Sequence, residues 1–77
     1  MGKGTGRLRN RLRELRKQRD DMTQQELADR AGITRQTVIA IEQNKYSPSL
    51  EVAFLIALAL GVELGDAFSY EEKPKRK

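Results

Sequence analysis

Arg35, Gln36, Ile39, Ala40 and Gln43 are spaced so that, at about 100° per residue, they gather on one face of a helix. The chemistry open to such a face is recognition by paired hydrogen bonds. Arg can bridge O6 and N7 of guanine, Gln can bridge N6 and N7 of adenine, and small apolar groups can touch the methyl of thymine. A face left only to solvent would more often hold Lys and Glu. Thr37, Val38 and Ile41 fall on the opposite side, with Glu42 at the border. This helix is therefore expected to bury one side and present the other.

Reaction chemistry finds no footing. The 77 residues contain no His and no Cys, which removes zinc fingers, disulfides, thiolate metal sites and most general acid–base catalysis. There is no glycine-rich phosphate loop and no clustering of carboxylates, so an enzyme is rejected and neither a metal nor a cofactor is expected. The longest apolar segment, Val52 to Leu60, is too short to span a bilayer. No apolar run near the N-terminus resembles a signal peptide, and a soluble cytoplasmic protein is expected. The net charge of +4 is unevenly spread. Residues 1–19 sum to +7, residues 20–72 to −7 and residues 73–77 to +4. A protein that grips phosphates needs cations near the backbone; here they must come mainly from the first helix and the two ends.

The elements that position the recognition face lie in Thr23–Gln43. Thr23 with Glu26 three residues on makes a capping box. Leu27, Ala28 and Ala31 then form one apolar stripe, and Gly32 stops the helix in the left-handed conformation that only glycine takes without strain. Thr34 caps a second helix. Two short helices joined by a tight turn are the helix-turn-helix pattern, whose second helix enters the DNA major groove.

Three stretches carry a closer likeness: Thr-Gln-x-Glu-Leu-Ala from Thr23, Ala-Gly-Ile-Thr-Arg-Gln-Thr-Val from Ala31, and Ile-Glu-Gln-Asn-Lys-Tyr-x-Pro-Ser-Leu from Ile41. In this order they resemble the Cro and phage-repressor family of helix-turn-helix proteins, over about Asn10 to Phe68. The resemblance implies an all-α, compact domain of four to five helices acting as a stand-alone regulator. It implies that Gln24, at the start of the first motif helix, meets a DNA phosphate. It also implies a structural ion pair between Arg16 and Glu42. Where the family commonly has glycine, this chain has Asn44, which tolerates the same left-handed backbone.

The remaining chain is read in order. Residues 1–6 are expected to be a disordered arm, 7–69 the DNA-binding domain and 70–77 a short basic tail. Leu8, Leu12 and Leu15 predict a first helix from Arg7, with Arg9, Arg11, Arg13, Lys17 and Arg19 covering its outward faces. Those arginines serve either as a solvated surface or as a phosphate-facing one. Thr34, Asn44, Lys45, Ser47 and Ser49 join Gln24 as expected phosphate contacts, while Tyr46 is expected to pack against the domain. Ser49 caps the next helix, whose stripe Leu50, Ala53, Ile56, Ala57 and Leu60 is read as core. Leu55 and Leu58 lie opposite, where family members often carry Lys or Arg. They are either a homodimer interface or two stray exposed leucines. Gly61 ends that helix, Val62–Phe68 forms one more turn or helix with Phe68 plugging the core, and Ser69–Glu72 alternates enough for a short terminal β-ribbon. The expected function is a homodimeric, sequence-specific double-stranded DNA-binding regulator, with no small-molecule effector evident. The alternative is an antitoxin or other protein-interaction module of the same fold.

Overall fold

Gly32 and Gly61, at φ of +73° and +72°, divide the chain into its helices. A computed structural model describes residues 6–72. The elements run β1 (Gly6–Asn10), α1 (Leu12–Gln18), α2 (Gln24–Ala31), α3 (Arg35–Glu42), α4 (Leu50–Leu60), α5 (Leu64–Ala67) and β2 (Phe68–Glu72). Local chemistry explains most boundaries. Thr23 closes the full capping box with Glu26 at the start of α2, Thr34 Oγ1 accepts from Thr37 N at α3, and Ser49 Oγ accepts from Val52 N at α4. Each satisfies a backbone donor that the first helical turn leaves orphaned.

The helices enclose a core in which Leu12, Leu27, Val38, Ile41 and Ile56 are essentially fully buried. α2 packs against both α3 and α4, so the stripe Leu27, Ala28 and Ala31 touches the centre from one side and Val38 with Ile41 from another. Met22, in the loop before α2, is also buried. That loop bends sharply through Asp20 and Asp21, both in the left-handed region at φ of +55° and +52°.

Two expectations are corrected. The helix predicted from Arg7 does not form there. Instead β1 pairs antiparallel with β2, placing Arg7 opposite Glu71, Leu8 opposite Tyr70 and Asn10 opposite Phe68. Arg7-Leu8-Arg9-Asn10 alternates with period two as well as fitting the helical spacing, and a partner strand from the far end of the chain decides between them. Asn10 then sets the start of α1. Its Oδ1 accepts from Leu12 N at 3.2 Å and its Nδ2 donates to Ile41 O at 2.9 Å, while Arg11 N donates to Ala67 O at 3.0 Å. Regular structure accordingly runs past Ser69 to Glu72; the rest of the arm and basic tail falls outside the described residues.

The second correction concerns α4. Leu50, read as core, is 67% exposed. It is the first residue of the helix, a turn ahead of Ala53, and the core does not reach it. The buried face is Ala53, Ile56, Ala57 and Leu60, and the apolar residues of the other face are Leu50, Phe54 (48% exposed), Leu55 (38%) and Leu58 (74%). Phe68 is partly buried against the core.

Candidate nucleic-acid interface

The interface is built on Glu42, the last residue of α3. Arg16 Nε donates to Glu42 Oε2 at 2.7 Å and Arg16 Nη2 to Oε1 at 3.0 Å, a bidentate pair whose side chains are only 11% and 8% exposed. Arg16 Nη1 also donates to Met22 O at 2.9 Å, and Gln24 Nε2 donates to Glu42 Oε1 at 3.1 Å. One carboxylate thus ties α1, the loop before α2, the first residue of α2 and the end of α3. The fork geometry of guanidinium on carboxylate gives this junction direction as well as attraction.

Around that junction opens a groove of about 790 Å³. Arg13 and Lys17 line it from α1, Gln24 and Gln25 from the start of α2, and Arg35 and Gln43 from α3. Asp21 is the one carboxylate there not already held by an arginine, so cations prevail: Arg13, Lys17 and Arg35. The backbone N–H groups that open α2 lie beside Gln24, and donors at a helix start suit an anion. The arrangement can hold a phosphate backbone while presenting the outward face of α3.

On α3, Arg35, Gln36 and Gln43 are exposed and Ile39 and Ala40 half-buried, while Val38 and Ile41 are buried. The wheel therefore places its two faces as the structure has them. Thr34 spends its hydroxyl on the cap and on Thr37 Oγ1, 2.8 Å away, and Ser49 likewise caps α4. Asn44 takes φ of +61° and ends α3 where a glycine would otherwise serve. Lys45 and Ser47 are exposed in the loop that follows. Tyr46, expected to pack on the domain, is instead half-exposed, because that loop leaves one side of its ring over a cavity rather than over the core.

Arg13 and Lys17 are the residues that sequence reasoning left undecided. A signal was present. Arg13 stands three residues before Arg16 and four before Lys17, spacings that put all three on one side of α1, so aiming Arg16 at Glu42 turns that side to the groove. At the start of α1, Arg11 Nε donates to Glu14 Oε1 at 3.0 Å, with both side chains exposed to solvent. That hydrogen bond, with the opposite charges, holds the Glu14 carboxyl below its ordinary range and the Arg11 guanidinium above its own.

Comparison with known proteins places this geometry. A family model described as helix-turn-helix matches residues 12–66. An uncharacterized HTH-type transcriptional regulator of Methanothermobacter thermautotrophicus is 52% identical over 66 residues, covering 84% of this chain and 94% of the relative. A second, from Methanocaldococcus jannaschii, is 46% identical, covering 84% and 97%. The immunity repressor protein of Bacillus phage phi105 is 37% identical over 54 residues, 70% of this chain and 37% of the repressor. The family is one of non-enzymatic DNA-binding proteins, and no helix among the described residues is long and apolar enough to cross a membrane. Capped helices around a glycine turn, the Arg16–Glu42 junction and these matches agree: the chain belongs to the Cro and phage-repressor type of helix-turn-helix proteins.

Proposed function

We propose that this protein is a cytoplasmic transcriptional regulator that binds double-stranded DNA sequence-specifically, as a homodimer on a near-palindromic operator, and represses by occupancy. The observation that carries the reading is the exposed Arg35, Gln36 and Gln43 face of α3 standing beside a groove lined by Arg13, Lys17 and Gln24. In this reading α3 lies in the major groove. Arg35, Gln36, Ile39, Ala40 and Gln43 meet base edges; Gln24, Thr34, Asn44, Lys45, Ser47 and Ser49, with Arg13 and Lys17, meet phosphates. Half-sites stand about one helical turn apart, roughly 34 Å. Two α4 faces, each with Leu55 and Leu58 and joined by Phe54 and Leu50, close the dimer about a two-fold axis. The similarity to a phage immunity repressor favours repression over activation.

Selection from random duplexes tests the reading directly. The wild-type chain should return a two-fold symmetric sequence. Arg35→Ala should cost about 1–3 kcal/mol on that site and relax preference at one base pair of each half-site. Lys45→Ala should weaken all duplexes alike and flatten the salt dependence. A selected sequence that Arg35→Ala leaves unchanged would remove Arg35 from base reading.

A further inference from the structure

The register of the ribbon joins the two ends of the chain. Gly6 stands opposite Glu72, so residues 1–5 and 73–77 leave the ribbon at the same end. Those ten residues lie outside the described ones, but their sequence carries Lys3, Lys73, Lys75, Arg76 and Lys77 and no acid. Arg7 and Arg9 add to this charge. Alternation along β1 puts both on the ribbon face opposite to that of Leu8 and Asn10, and both are exposed. Glu71 lies across from Arg7 on that outer face and is held by Arg9 Nη1 at 2.6 Å. Residues 1–9 and 71–77 together hold seven Lys and Arg against Glu71 and Glu72, a sum of +5, whereas residues 10–70 sum to −1. The whole excess of positive charge is thus gathered at one end of one element.

We propose that the two ends, paired by the ribbon, act as a single cationic grip on the DNA backbone beside each half-site. The proposal rests on the DNA-binding reading above and extends it to a part of the chain outside the helix-turn-helix. Position favours duplex phosphates as the anion. Leu8 and Tyr70, one register pair in from Arg7 and Glu71, line a cavity together with Asn44, Tyr46 and Ser47 of the loop after α3. That loop is the one read above as meeting phosphate. Asn10 also fastens the ribbon to the end of α3, donating to Ile41 O at 2.9 Å, so the grip keeps a fixed origin when the chain docks. From that origin five residues can span at most about 17 Å, roughly half of a 34 Å helical turn of duplex. Both ends can therefore reach the same stretch of backbone, and neither can reach far beyond it.

The test uses the full chain on the selected duplex. Because the sequence contains no cysteine, Thr5→Cys or Pro74→Cys supplies a single thiol for an iron–EDTA chelate while every cation is kept. Chelates at the two positions should cut the duplex over the same few base pairs of each half-site. Replacing Lys73, Lys75, Arg76 and Lys77 by Gln should weaken binding about ten- to a hundredfold at low salt and lower the slope of log K against log salt by about 2–3.5. Arg30→Gln, a loss of charge on the exposed surface of α2, should keep the wild-type slope. Cuts at two separate places, or spread evenly along the duplex, would overturn the proposal. So would an unchanged slope for the four-Gln chain, or a loss per charge for Arg30→Gln equal to it. In those cases a wild-type chain that still selects its site leaves the DNA-binding reading standing; a wild-type chain that binds no duplex removes both.

Discussion

Glu42 and Arg16 show how one residue pair ties three helices together beside the face that we propose meets DNA. With their side chains so little exposed, each depends on the other to offset its lost hydration. Glu42→Ala should cost about 3–5 kcal/mol, because it strands a guanidinium in the interior. Urea unfolding should show this as a lower midpoint at an unchanged slope. Arg16→Met together with Glu42→Leu should come much closer to wild-type stability, since neither charge is then left alone. That double variant should still bind DNA more weakly, because Gln24 loses the carboxylate that orients it. A double variant as unstable as Glu42→Ala would mean that the groove, rather than the stranded charge, sets the cost. The Arg11–Glu14 pair is the opposite case. Its depressed carboxyl contributes stability that is present at neutral pH and is lost as pH falls through the carboxylate range, but solvent around both side chains keeps the contribution small.

At the scale of elements, caps and glycines decide where the helices stop. Gly32 sits at φ of +73° with open space around its α-carbon, so Gly32→Ala meets no clash and carries only the left-handed backbone penalty. That penalty is roughly 1–2 kcal/mol. Gly61→Ala should cost somewhat more, because a β-carbon there displaces Arg19 from its hydrogen bond to Leu60 O at 3.2 Å. Thermal unfolding of the two variants checks the order; an equal loss would show that the Arg19 contact contributes nothing. These were the elements most legible in the sequence. The capping box, Gly32, Thr34 and Ser49 act within four residues of themselves, so α2, α3 and α4 could be placed from local chemistry. The ribbon was only half legible. The alternation of Ser69–Glu72 admits a strand without deciding for one, and its partner is hidden because Leu8 fits a helical stripe and a strand equally well. Leu50 and Phe54 were misplaced or missed for a related reason: a wheel gives angle, not where along its axis a helix leaves the core. The α3 faces were legible because both ends of that helix are pinned.

At the scale of the whole molecule, the exposed apolar face of α4 is the surface on which the proposed dimer depends. Leu50, Phe54 and Leu58 follow at i, i+4 and i+8, with Leu55 beside them. Fully burying one leucine is worth roughly 1.5–3 kcal/mol, so the contribution, doubled by symmetry, is large for a small contact. Leu55→Lys with Leu58→Arg should leave the fold intact, give a monomer by light scattering, and make operator binding weak, since each half-site must be captured alone. A double variant that stays dimeric at unchanged affinity would move the interface elsewhere, most directly to the free edges of the ribbon.

The ribbon has a consequence in time as well as in space. Arg9 and Glu71 are 62 positions apart, yet they meet at 2.6 Å. During synthesis at about 5–20 residues per second, β1 emerges first and waits roughly 3–12 s for β2 to leave the ribosome. All five helices lie between the two strands, and α1 to α4 are made before β2 begins. α3 is therefore synthesised well before β1 can find its partner, and the ribbon is the contact that must close last, like a clasp.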